Sequence, residues 1–182
     1  MRNTIVILFI LLSQTVIAQK TSITRAGFTF GTSAGFGTHI SSNSSQLRVS
    51  LPNLKLGYML QPKLGLLLYM PGGVSTVQGN QVAFEAFLPA VQYFLMDEFY
   101  LLAGAGLSLE TTPFYNVDFN EGPPDFYFGP GFTIAAGYEV FQFNNKNAID
   151  IQTRMLVGKT DDIPGAKQTH AAIDLLIGFN LY

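Results

Sequence analysis

Eight stretches of this chain alternate, residue by residue, between a face of large apolar side chains and a face of glycine, small polar residues and single charges. A period of two is the signature of an extended strand, because successive side chains of a strand point to opposite sides. The stretch 27–39 puts Phe28, Phe30, Ala34 and Phe36 on one face and Gly27, Thr29, Gly31, Ser33 and Gly35 on the other. In 53–60, Leu54, Leu56, Tyr58 and Leu60 oppose Asn53, Lys55, Gly57 and Met59. The pattern recurs over 64–70, 82–95, 99–110, 128–141, 148–158 and 170–182. Strands of this length suit a bilayer crossing, which takes about 9 to 11 tilted residues, and an even number permits an antiparallel sheet to close on itself.

The connections alternate as well. Breaks near Gln61, Asp97 and Asn145 are a few residues long, whereas 41–50, 72–81, 111–126 and 159–168 each run to about ten or more. Short turns on one side and long loops on the other are how outer-membrane barrels are built, with both termini on the side of the short turns. The orientation of the wall follows from the small face. Glycine, alanine, serine and threonine make a poor solvent surface but fit the narrow interior of an eight-strand barrel. Charged residues are only 12% of the chain, against about 25% in soluble domains, and 16 are phenylalanine, so the aromatic face is expected to meet lipid. The expected fold is therefore all-β: an eight-stranded antiparallel up-and-down transmembrane β-barrel with short periplasmic turns and long external loops.

Other classes fall away on composition. No run reaches the 18 or more apolar residues of a membrane helix. Without cysteine there is no disulfide framework, thiolate site or lipidated N-terminal cysteine. A net charge of −2 with scattered basic residues excludes a nucleic-acid footprint. The N-terminus carries Arg2, a short apolar run over 5–12, and a small residue, Ala18, where a signal peptidase would cut. Residues 1–18 are thus read as a signal peptide and 19–182 as the barrel domain.

Parity places Lys55, Glu139, Asp150, Arg154 and Asp174 in the lumen, with Tyr100 and Gln152. A two-residue turn at Asn144 and Asn145 would set Glu139 opposite Asp150. Facing carboxylates repel, so Arg154 or Lys55 is expected to reach them. Pro89 and Pro130 lie inside strands of a ring without free edges, where proline is expected at a bulge. A bulge at Pro89 would turn Phe84, Ala86 and Leu88 to the lipid and bring Glu85 into the lumen network; without one, Glu85 faces outward near the external interface.

The segments Phe84-Glu85-Ala86-Phe87-Leu88-Pro89-Ala90-Val91-Gln92-Tyr93 and Tyr100-Leu101-Leu102-Ala103-Gly104-Ala105-Gly106, with Gly129-Pro130-Gly131 and Ala136-Gly137-Tyr138-Glu139, resemble the small Bacteroidetes outer membrane protein beta-barrel domain family over nearly all of the mature length. The resemblance implies a barrel in the outer membrane and brings no catalytic residues. Its acidic residue normally stands nearer the proline than Glu85 does to Pro89. The outward parity of the last strand falls on Phe179 and Leu181 and not on the terminal Tyr182.

Chemistry beyond the wall is sparse. His39 and His170 end and begin strands that meet at the external rim, but no third residue completes a metal site, so no metal and no cofactor are expected. Ser41 and Ser42 with His170 could supply parts of a lipid hydrolase, yet no acid is spaced to orient the histidine. The longest loop carries Phe114, Tyr115, Phe119 and Phe126 among Asp118, Glu121 and Asp125, an aromatic surface suited to contacts. The expected function is a non-enzymatic integral outer-membrane barrel with an occluded polar lumen. Its partners are outer-membrane lipid and a protein or surface ligand at the external loops. The competing readings are a narrow solute channel, a lipid-modifying enzyme and a secreted soluble barrel holding an apolar ligand.

Overall fold

The computed structural model describes residues 23–41, 44–77, 79–117, 125–161 and 167–182; the signal-peptide segment 1–18, Ser42 and Phe119 lie outside them. Its strands are β1 (Gly27–Ser41), β2 (Ser44–Gln61), β3 (Leu64–Met70), β4 (Val74–Val77), β5 (Asn80–Phe94), β6 (Phe99–Thr111), β7 (Phe126–Phe143), β8 (Asn147–Asp161) and β9 (Lys167–Leu181). All pairings are antiparallel; apart from β3 and β4, which each pair with β2 and β5, every strand pairs with its neighbours in sequence, and β1 pairs with both β2 and β9, so the sheet closes into a ring. Closure satisfies every strand edge, which is what lets a sheet sit in hydrocarbon. Strands β3 and β4 are two halves of one wall position, parted at Pro71, Gly72 and Gly73 and both flanked by β2 and β5.

The aromatic and branched face is outside. Phe36 and Ile177 are each 66% exposed, and Phe28, Tyr58, Leu66, Phe87, Tyr93, Phe132, Ile134, Ile151 and Leu175 continue the apolar belt around the ring. Opposite them, Thr29, Ser33, Lys55, Gln92, Thr133, Asp150, Gln152, Arg154, Asp174 and Asn180 are buried in the lumen.

Several expectations are corrected. The strands run through most of the segments read as long loops: β1 and β2 are joined through residues 42 and 43 only, and β4 lies within 72–81. Over 47–51 the alternation persists, with Leu47, Val49 and Leu51 exposed and Arg48 and Ser50 buried. Serine, asparagine and glutamine around it hide the strand signal, because a wall that has risen past the lipid no longer needs an unbroken apolar face. Neither Pro89 nor Pro130 sits at a bulge. Between Phe87↔Leu107 and Ala90↔Gly104 the β5–β6 ladder skips its pairs without changing register. Gly106 there leaves room for the Pro89 ring, whose Cδ would stand 3.1 Å from a Cβ at that position. Pro130 keeps an unbroken register with β6 and lies just beyond the end of the β7–β8 pairing at Gly131↔Gly158. The register shift between β1 and β2 instead skips Leu51 and Pro52, which are joined by a cis peptide bond.

The turn after β7 contains three residues, Asn144 to Lys146, and not two; Asn144 and Asn145 hold φ of 55° and 53°. One extra residue would slip the pairing and swap lumen for lipid faces. A one-residue bulge at Val140 takes up the slip, and above it Glu139 faces Asp150. At the same end Tyr182 is buried under the barrel and does not join the outer belt.

The narrow lumen is packed by pairing large residues with glycine. Tyr100 faces Gly137 across β6 and β7, and a Cβ on Gly137 would overlap the tyrosine ring. Gly137→Val is expected to lower the unfolding free energy by about 1–3 kcal/mol, the usual cost of overpacking, in urea titrations of vesicle-inserted protein. Ala103→Val on the exposed wall should leave the midpoint unchanged.

Candidate functional site

The inward residues stack into layers from the short-turn end to the external mouth. At the base, Arg25, just before β1, reaches under the ring and places a guanidinium nitrogen 2.5 Å from Glu139 Oε2 and its Cζ 3.9 Å from the Phe94 ring centroid. It also donates to the Asp97 carbonyl. Glu139 further accepts from Gln142 Nε2 at 2.9 Å and from the Tyr182 hydroxyl at 2.6 Å. Ile23, Met59, Leu67, Phe94, Tyr100 and Ala148 pack around this layer as an apolar cluster.

Above it, Asp150 accepts from the Tyr100 hydroxyl and from Asn180 Nδ2 at 3.0 Å, and Lys55 Nζ lies 3.7 Å away. The facing carboxylates Glu139 and Asp150 are thus neutralised separately: Lys55 serves Asp150, and the cation on Glu139 is Arg25. Arg154 serves neither. It is the hub of the next layer, donating to Asp174 through Nε (3.1 Å) and Nη2, to Ser50 Oγ (2.8 Å), and through Nη1 to Asn53 Oδ1 (2.5 Å) and Tyr69 Oη (3.0 Å). A guanidinium has five N–H donors, and each has an acceptor here. Arg48 completes this level, with Nε 3.4 Å from Asp174 Oδ1 and Nη2 donating to the Phe84 carbonyl at 3.0 Å.

Phe84, Ala86, Leu88, Leu156 and Ala172 then form a second apolar layer inside the barrel. These β5 side chains face the lumen because the register runs straight through Pro89, and Glu85 therefore lies on the outer side of the wall, not in the lumen network. At the mouth His39 and His170 meet diagonally, Nε2 to Nδ1 at 3.2 Å. His39 Nδ1 is 2.7 Å from Ser75 Oγ, and His170 Nε2 is 2.9 Å from Glu110 Oε2, off the axis of an aligned hydrogen bond. The ring of Phe84 stacks on His39 with centroids 5.5 Å apart. One nitrogen of each histidine is turned toward the other and the remaining two toward Ser75 and Glu110, and no three histidine or carboxylate groups converge on a metal position among the described residues.

Sequence parity missed Arg25 and Arg48. Arg25 precedes the first alternating stretch, and Arg48 lay in a segment read as loop. A charge count was the available signal: Lys55 and Arg154 alone could not balance Glu85, Glu139, Asp150 and Asp174 in a dry interior.

A second feature lies outside the barrel. The segment after β6 turns back over the outer wall through a 3-10 turn at Phe114–Asn116, covering Ala83 and Leu109. Between it and the wall of β2, β4 and β5 is a cleft of about 860 Å³. Leu47, Val49, Leu51 and Val74 form one side, Pro113, Phe114, Tyr115 and Phe126 the other, and Glu85 lines it as well. Phe114, Tyr115 and Phe126 thus face a shared cavity.

No protein-family model and no curated protein sequence matches the chain. Solved structures do. Neisserial surface protein A superposes with a TM-score of 0.66 at 17% identity, covering 86% of this chain and 97% of that one. Ail, the attachment invasion locus protein of Yersinia pestis, gives 0.53 at 10% identity, covering 87% and 100%. The fold is that of the small outer-membrane barrels.

Asp174 balances both Arg154 and Arg48 in a layer without water, so Asp174→Ala should cost about 3–5 kcal/mol, the penalty of stranding buried charge. The double variant Asp174→Leu with Arg154→Met should recover part of that loss in the same urea titration.

Proposed function

We propose that this chain is exported by residues 1–18, inserts into a bacterial outer membrane as a non-enzymatic barrel with an occluded lumen, and acts through its external surface. The observation that carries this reading is the filling of the lumen. Asp150, Gln152, Arg154, Asp174, Tyr69 and Tyr100 are at most 1% exposed, so no water-sized space lies beside them. A conducting path needs a continuous polar lining. Here the polar layers alternate with two apolar clusters, one around Phe94 and Tyr100 and one around Phe84 and Leu156.

The hydrolase reading gains an acid and a serine from the mouth cluster, since Ser75, His39, His170 and Glu110 lie in one chain. Ser75 is only 4% exposed, which leaves an acyl group no approach to its hydroxyl, and the cluster is better read as mouth packing. A soluble barrel with an internal apolar ligand is disfavoured by the exposed aromatic belt. The reading in favour of external contacts rests on the cleft and its aromatic roof.

The test is electrical. Purified protein that shows a compact unboiled gel species should give no discrete conductance steps in planar bilayers. Regular steps from the unaltered barrel would overturn the occluded lumen, and absence of the compact species from outer-membrane fractions would overturn the placement.

A further inference from the structure

The external cleft has a chemistry of its own. Its walls are mostly aliphatic and aromatic, and its volume lies in the range of ligand pockets, about 300–1,000 Å³. It lies beside two irregularities of the wall, the β1–β2 register shift at Leu51 and Pro52 and the break between β3 and β4 at Pro71 to Gly73.

Among the described residues lining it, Glu85 is the one carboxylic acid. It is half-buried against the break, with its Cγ 3.4 Å from where a Cβ on Gly72 would stand, and no described residue forms a hydrogen bond or an ion pair with it. The nearest cation, Arg48, is on the other side of the wall, packed against Gly73 and engaged with Asp174 and the Phe84 carbonyl. The described residues that line the cleft include no lysine, arginine or histidine. The fixed charge around the cleft is therefore of one sign. A half-buried carboxylate in an apolar recess is costly alone and stabilised by a cation with donors to offer. An anionic ligand would meet repulsion from the same group.

We propose that the cleft is a binding site for a hydrophobic amine, an apolar body seated between Leu47, Val49, Phe114 and Tyr115 with one ammonium group on Glu85. This rests on the external surface being the working face of the barrel, and it adds which ligand that face selects.

The chain has no tryptophan, so a single introduced one reports without background. Phe114→Trp in vesicle-inserted barrel, with Tyr115→Trp as a second reporter should the first not fold, is titrated with 12-bromododecylamine and with 12-bromododecanol as quenchers. Saturable quenching is expected, with the amine about tenfold more potent than the alcohol, the value of one charge-assisted contact. Glu85→Gln in the reporter background should bring the amine to the alcohol's potency, and Phe36→Trp on the open belt should show equal, non-saturating quenching by both. Equal potency of amine and alcohol at the cleft, or an amine preference that survives Glu85→Gln, overturns the proposal. The unboiled gel shift of each variant reads barrel insertion separately, so loss of the site and loss of the membrane barrel give different results.

Discussion

Charges buried as completely as those inside this barrel have to be matched by opposite charges within reach. Arg25 pairs with Glu139, Lys55 with Asp150, and both Arg154 and Arg48 with Asp174, while Glu110 meets His170 at the mouth. Isolated charge in such a medium costs several kcal/mol, and attraction repays it only when geometry and hydrogen bonding are complete. Arg154 meets that condition by spending all five donors, from β8, on acceptors of three other strands, β2, β3 and β9. A slip of any one of these strands by one residue would turn its ligand to the lipid. Register and charge pairing therefore specify each other.

The wall around this interior is uniform where it meets the belt and irregular above it. Glycine opposite tyrosine keeps the packed part thin enough to close, as at Gly137 and Tyr100. Toward the mouth, the ladder skips Leu51 and Pro52, and the wall position beside them is broken at Gly72 and Gly73. The outer cleft and the inward position of Arg48 come from the same irregularity: the glycines that admit the guanidinium from within also leave the recess that Glu85 borders from without.

Alternation alone was enough to assign the faces of Lys55, Glu139, Asp150, Arg154 and Asp174, because parity is a local property and survives any error in strand ends. What parity cannot carry is continuity across an irregularity. A bulge at Pro89 would reverse the faces of β5, but Gly106 on the neighbouring strand makes room for its ring, and that compensation is visible only once the two strands are side by side. Arg48 was hidden by the polar residues of a strand that had left the lipid, and Arg25 by lying outside any strand. The contact between Ser75 and His39 joins residues 36 apart, linked by register and by nothing local.

The Val140 bulge and the three-residue turn beneath it act together as a length buffer. Loss of one turn residue is absorbed if the bulge flattens, and every pair from Glu139↔Asp150 upward keeps its partner. Such a hairpin tolerates a change of one residue at its tip without exchanging its two faces. Barrels of unequal chain length can share one interior chemistry, and this joint is where their sequences are free to differ in length.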